Sequence, residues 1–128
     1  MANKFKGTGN LGADPVLTSV GEDKRQVADL RIYFDRPIKN QDSGEYEDKG
    51  GFWLNVSVWD KLAEDVDRVL KKGMRVSVQG SLKQNVWDDV KSGEEKSKFV
   101  LYADEITLTL FRIESVKRRP TQPKNNHE

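Results

Sequence analysis

The run Phe52-Trp53-Leu54-Asn55-Val56-Ser57-Val58-Trp59 constrains this chain more than any other. Its period of two puts Phe52, Leu54, Val56 and Val58 on one face of a β-strand and Trp53, Asn55, Ser57 and Trp59 on the other. Two indoles on the polar side of a strand require an account, because large aromatic side chains usually go to the core. Either they form a stacking surface for flat ligands such as unpaired nucleobases, at about 1–3 kcal/mol per stack, or loops or a helix fold over that face and bury both rings.

Around this strand the chain reads as strands and turns with one helix. Lys4 to Leu11 is a short strand broken by Gly7 and Gly9 and closed by Gly12, and Asp14-Pro15 marks a turn. A second strand spans about Gln26 to Asp35, with Ala28, Leu30, Ile32 and Phe34 inward and Val27, Asp29, Arg31 and Tyr33 outward. Pro37 to Gly51 is a long polar connection of the kind that is usually functional or mobile. The helix is expected over Lys61 to Lys72, with Asp60 as N-cap, Leu62, Val66, Val69 and Leu70 toward the core, and Gly73 as its left-handed stop. A fourth strand alternates Met74, Val76, Val78 and Leu82 against Arg75, Ser77, Gln79, Ser81 and Lys83. Residues 84–98 read as a polar hairpin bearing Trp87 near its base, and the last strand as about Phe99 to Arg112, with Ile106, Leu108 and Leu110 on its apolar face. Three strands, a helix and two strands match an all-β OB-fold, a five-stranded Greek-key barrel with one helix between strands 3 and 4.

A chain of 128 residues is sized for one domain. We place that domain over residues 1–113 and a short disordered basic tail over 114–128. The absence of cysteine excludes disulfides, thiolate metal sites and a cysteine nucleophile, and suits a cytoplasmic protein. With no long apolar run and no signal-like N-terminus, no membrane association is expected. The net charge of +1 divides into +3 over residues 117–128 and −2 over the rest. A near-neutral body lacks the strong positive field of a typical duplex binder, yet leaves room for a locally basic groove.

Gly7-Thr8-Gly9-Asn10-Leu11-Gly12 satisfies G-x-G-x-x-G, but no helix begins after it and the chain lacks repeated strand–helix alternation. Glycines at a strand bend account for it better, and no cofactor is expected. The acidic pairs Asp88-Asp89 and Glu94-Glu95 lie in a solvated hairpin, and the one histidine, His127, stands at the end of the tail. Neither metal ligation nor catalysis follows from such a set. The residues with binding chemistry are Trp53, Trp59 and Trp87, with Tyr33 as a fourth aromatic. The cations Arg31, Arg75, Lys83, Lys91, Lys96 and Lys98 lie near them in the pattern. Aromatics interleaved with cations are the footprint of sequence-tolerant single-strand binding. Duplex reading would need a groove-filling helix, and here the helix spends its apolar face on the core.

The chain resembles the bacterial single-stranded DNA-binding protein family over roughly residues 9–110. The resemblance is carried by Gly9-Asn10-Leu11-Gly12 with Asp14-Pro15, Val27-Ala28, Gly44-Glu45, the Trp53 strand, Lys61-Leu62-Ala63-Glu64, Leu70-Lys71-Lys72-Gly73, Val78-Gln79-Gly80-Ser81-Leu82 and Trp87. It implies an OB-fold that wraps single-stranded DNA, as a homo-oligomer (tetramer or dimer), during replication, recombination or repair. It also implies base stacking at Trp53, Trp59 and Trp87. Three features depart from the family pattern. Ile38 stands where many members have a further tryptophan. Phe5-Lys6-Gly7-Thr8 replaces an aliphatic run in the strand that helps pair subunits. The chain ends in Arg118-Arg119-Pro120 and a polar segment instead of an acidic, hydrophobic tip. Protein contacts through that tip are therefore not expected, and an accessory or mobile-element member is expected if the sequence ends here. The competing reading is an OB-fold protein-interaction module derived from the same family, with DNA secondary.

Overall fold

The computed structural model describes residues 3–121. In chain order it contains β1 (Phe5–Leu11), β2 (Val16–Val20), β3 (Arg25–Phe34), β4 (Pro37–Lys39), β5 (Tyr46–Asp48), β6 (Phe52–Trp59), α1 (Asp60–Val69), β7 (Arg75–Asp88) and β8 (Glu95–Leu108). Five of these strands close a ring. β1 pairs with β7, β7 with β8, β8 with β6 and β6 with β3. β3 returns to β1 through Ile32–Phe34 against Gly9–Leu11. Every pairing is antiparallel except β6 with β8. This is the expected five-stranded barrel, with the helix between its third and fourth strands.

The ring closes where β1 passes from β7 to β3, and Gly9 stands at that crossing. A Cβ there would lie 2.1 Å from the Tyr33 carbonyl oxygen, so the two backbones meet only over a residue without a side chain. Gly7 and Gly9 thus belong to a strand, and the chain after Gly12 enters β2. The inward faces follow the alternation in the sequence. Ala28, Leu30, Ile32 and Phe34 of β3, Leu54, Val56 and Val58 of β6, Val76 and Val78 of β7, and Leu101 of β8 are buried together. Full burial of such a side chain contributes about 1.5–3 kcal/mol. α1 packs against β3, β2 and β6, with Ala63 and Val66 buried.

Several boundaries differ from the sequence expectation. The helix stops at Val69 instead of Lys72, because Leu70 turns extended (φ −84°, ψ 142°) and drops into the core. Gly73 does take a left-handed φ of 89°, but in the turn that leads into β7, not at the helix end. Val69 is 44% exposed while Ala63 takes a core position, which rotates the buried stripe toward Ala63, Val66 and Leu70. Trp59, not Asp60, holds the N-cap position, and the Asp60 carboxylate accepts from Arg25. Phe52 points inward in phase but is 46% exposed at the barrel mouth, edge-on to Phe5. Leu110 lies beyond the last strand and is exposed.

Three further strands stand outside the ring. β2 lies along the N-terminal half of β3. β4 and β5 form a hairpin within the long polar connection, with Pro37 opposite Asp48. β7 and β8 run past the barrel as a two-stranded arm, paired as far as Asp88 opposite Glu95. The expected polar hairpin at 84–98 is thus present, as a continuation of β7 and β8. Residues 109–121 carry no helix or strand, and residues 122–128, with Lys124 and His127, lie outside the described residues.

Candidate nucleic-acid interface

The outward positions of four adjacent strands make one continuous face. On β3 and β6 the register sets Tyr33 beside Trp53, Arg31 beside Asn55, Asp29 beside Ser57 and Val27 beside Trp59. On the other side of β6, β8 sets Val100 beside Asn55 and Tyr102 beside Ser57. β7 continues the rows with Lys83 opposite Val100 and Ser81 opposite Tyr102. The arm carries Asn85 opposite Lys98 and Trp87 opposite Lys96. Most of the expected residues thus share one face, spread over residues more than fifty positions apart in the chain.

Trp53 stands at one end of this face, 47% exposed. Its ring meets Tyr33 edge-on, 5.3 Å between centroids, and the Arg31 guanidinium lies 5.4 Å from its centre. Arg31 is steadied by donating to the Asn55 side-chain oxygen at 3.0 Å. Trp59, six residues on, is about 20 Å away along the strand and only partly exposed. Trp87 is 45% exposed on the arm. Between them runs a shallow groove of about 510 Å³ whose walls include Asp29, Arg31, Asn55, Ser57, Lys98 and Tyr102.

Charge on this face is mixed. Arg31, Lys83 and Lys98 enter no ion pair among the described residues. Lys96 lies 3.5 Å from Glu94, and Lys91 is exposed in the turn of the arm. Asp29 accepts a hydrogen bond from Ser57 within the groove. Flat side chains and a few free cations therefore define the surface more than a strong positive field does.

Two expected residues have other tasks. Arg75 is largely enclosed, donating twice to Asp35 at 2.8 and 3.0 Å and once to Asn10 at 2.8 Å. That pairing holds the Asp35 carboxyl below the usual carboxylate range and leaves the guanidinium no free charge for a phosphate. The Tyr33 hydroxyl donates to Asp48, which also accepts from the Arg36 backbone N–H at 3.0 Å. This bond lowers the Asp48 pKa and raises that of Tyr33. It also ties the β4–β5 hairpin to the barrel beside Trp53. Ile38, on that hairpin, is exposed.

The sequence reading passed over Tyr102, Asn85 and Val100. Lys98, Val100 and Tyr102 do alternate, and extending the last strand back to Glu95 brings all three to the outer face. The pairing of Arg25 with Asp60, which reads in the sequence only as a helix cap, has no local signal, since the two stand thirty-five positions apart.

A closed five-stranded barrel with one helix and an outer face of exposed indoles and cations defines an OB-fold binding protein. The family model described as the single-strand binding protein family matches residues 2–109, and the chain belongs to that family. It is 38% identical over 113 residues to a protein named single-stranded DNA-binding protein from Corynebacterium glutamicum, covering 88% of this chain and 49% of the relative. A protein of the same name from Paenarthrobacter aurescens is 36% identical over 118 residues, covering 92% and 67%. Single-stranded DNA-binding protein 2 from Streptomyces coelicolor is 36% identical over 106 residues, covering 80% and 50%. The chain thus spans about half the length of two of these relatives and about two thirds of the third. In fold it is similar to the crystal structure of the small single-stranded DNA-binding protein from S. coelicolor, with a TM-score of 0.72 at 22% identity, covering 87% of this chain and 97% of that one.

Proposed function

We propose that this chain binds single-stranded DNA with little sequence preference on the outer face of β3, β6, β8 and β7. Trp53, Trp59 and Trp87 stack on bases, and Arg31, Lys83, Lys96 and Lys98 contact phosphates. Tyr33 supports Trp53 from the side. Arg75 serves the barrel instead of the strand. The observation that carries this reading is Trp53 itself, half exposed on the outer face, with Tyr33 at its edge and Arg31 on its ring. The interaction-module reading expects Trp53 and Trp59 to be buried; Trp53 is 47% exposed and Trp59 partly exposed, which supports the DNA reading.

The family is one of binding proteins, not of enzymes. The work proposed is protection of single strands during replication, recombination or repair in the cytoplasm. Among the described residues no helix is long and apolar enough to cross a membrane. We further propose a homo-oligomer, tetramer or dimer, which light scattering after size exclusion measures directly. Titration with oligothymidylate of increasing length, followed by tryptophan fluorescence, tests the binding. Saturable quenching that weakens as salt rises is expected, because phosphate contacts release counterions. Absence of quenching and of any binding signal at low salt would overturn the proposal.

A further inference from the structure

Trp59 does not present a bare ring. The Arg25 guanidinium carbon lies 4.7 Å from the indole centroid. Its Nε and Nη2 donate to the two carboxylate oxygens of Asp60 at 3.2 and 2.8 Å. Arg25 opens β3 and Asp60 follows the last residue of β6, so two elements join over one ring.

The backbone at Asp60 is unusual. Asp60 adopts φ 58°, a left-handed conformation that glycine takes freely and that Asp and Asn adopt more readily than other L residues. Its carboxylate is taken up by Arg25, while Trp59 holds the N-cap position. The ion pair is more than half exposed on both partners, and such pairs contribute little to stability. What the pair does accomplish is to hold a guanidinium against the indole. At Trp53 the arrangement is looser: Arg31 is farther from its ring and is held by the neutral Asn55 amide. A carboxylate restrains a guanidinium more strongly than an amide does.

A guanidinium is flat and delocalised, and it stacks on an aromatic face as a base does. A carboxylate and a phosphodiester offer it the same pair of oxygens. We propose that Arg25 is a gate on Trp59. In the free protein it occupies the ring face a base would take, held there by Asp60. An entering strand exchanges it: the guanidinium passes from the Asp60 carboxylate to a phosphate, and a base takes its place on the indole. The gate rests on Trp59 being a stacking site, and it favours ligands with a backbone, since a free base gives Arg25 nowhere to go.

The test compares Asp60→Asn, Arg25→Gln and the double variant, each titrated with oligothymidylate across a salt series. Asparagine tolerates the left-handed conformation, so the first change keeps the backbone. Releasing Arg25 from Asp60 should tighten binding about two- to fivefold and steepen its salt dependence. Arg25→Gln should weaken binding, and the double variant should bind no better than Arg25→Gln alone. A gain from Asp60→Asn that persists without Arg25 would mean simple carboxylate–phosphate repulsion and would overturn the gate, as would no gain at all. Trp59→Ala separates the two levels. If it weakens binding while the gain is independent of Arg25, the gate alone falls. If it leaves binding unchanged, the stacking role of this ring and the gate fall together.

Discussion

The far edge of the Trp53 indole rests against Gly12, where a Cβ would lie 2.6 Å from Cζ3 and 2.8 Å from Cη2. With Tyr33 at its side and Arg31 on its ring, the indole is positioned before any ligand arrives. Gly12→Ala should therefore push the ring outward. The neighbour that must yield is the tip of a half-exposed side chain, so stability should fall by less than about 1 kcal/mol, whereas DNA affinity should fall clearly. Thermal unfolding and fluorescence titration on the same sample separate the two. Trp53→Ala, which removes the ring outright, should cost about 1–3 kcal/mol of binding while circular dichroism retains the barrel signature. Unchanged affinity in Trp53→Ala would remove this ring from the interface.

Among the elements, β1, β3 and β7 meet at one corner, and Arg75 ties it. From the first residue of β7 it reaches Asn10 on β1 and Asp35 just past β3. Both members of the Arg75–Asp35 pair are mostly enclosed, with side-chain exposures of 25% and 21%. Asp35→Asn should destabilise the fold by about 1.5–3 kcal/mol, the range for hydrogen bonds to charged groups. Arg75 holds the Asp35 carboxyl below its unfolded value, so the pair's contribution is fully present above the unfolded value near pH 4. It is lost as pH falls through the lower folded value. The stability gap between the parent and Asp35→Asn, measured by urea unfolding, should be constant near neutrality and narrow below about pH 4. A gap that widens in acid would contradict this account.

At the scale of the molecule, the barrel keeps core and binding face on opposite sides of the same strands. Ile32 is fully buried, one residue from Arg31 and Tyr33 on the outer face. Ile32→Ala should lower stability by about 2–5 kcal/mol through lost burial and a cavity. Affinity for oligothymidylate should change little at temperatures where the variant is still folded, because no outward side chain is altered. Denaturant unfolding and titration in native buffer check the two halves of that statement.

The inward faces of β3 and β6 could be read from the sequence because period-two alternation is a local property, and so could the indoles opposite them. Val16–Val20 escaped notice because it is mostly exposed and does not alternate, its strand character coming from β3 alongside. The hairpin at 84–98 could be read from its turn residues, but not its continuity with β7 and β8, because its polar residues carry no alternation. Charge type could be read as well, but charge availability could not. Arg75 and Arg31 look alike in the chain, yet one is held by a carboxylate forty residues away and the other enters no ion pair among the described residues. The sequence by itself determined the barrel, its core and its aromatic outer strand, since each depends on the order and spacing of neighbouring residues. Only the tertiary structure decided which cations are free and which rings are covered, because those depend on partners that closure of the ring brings together.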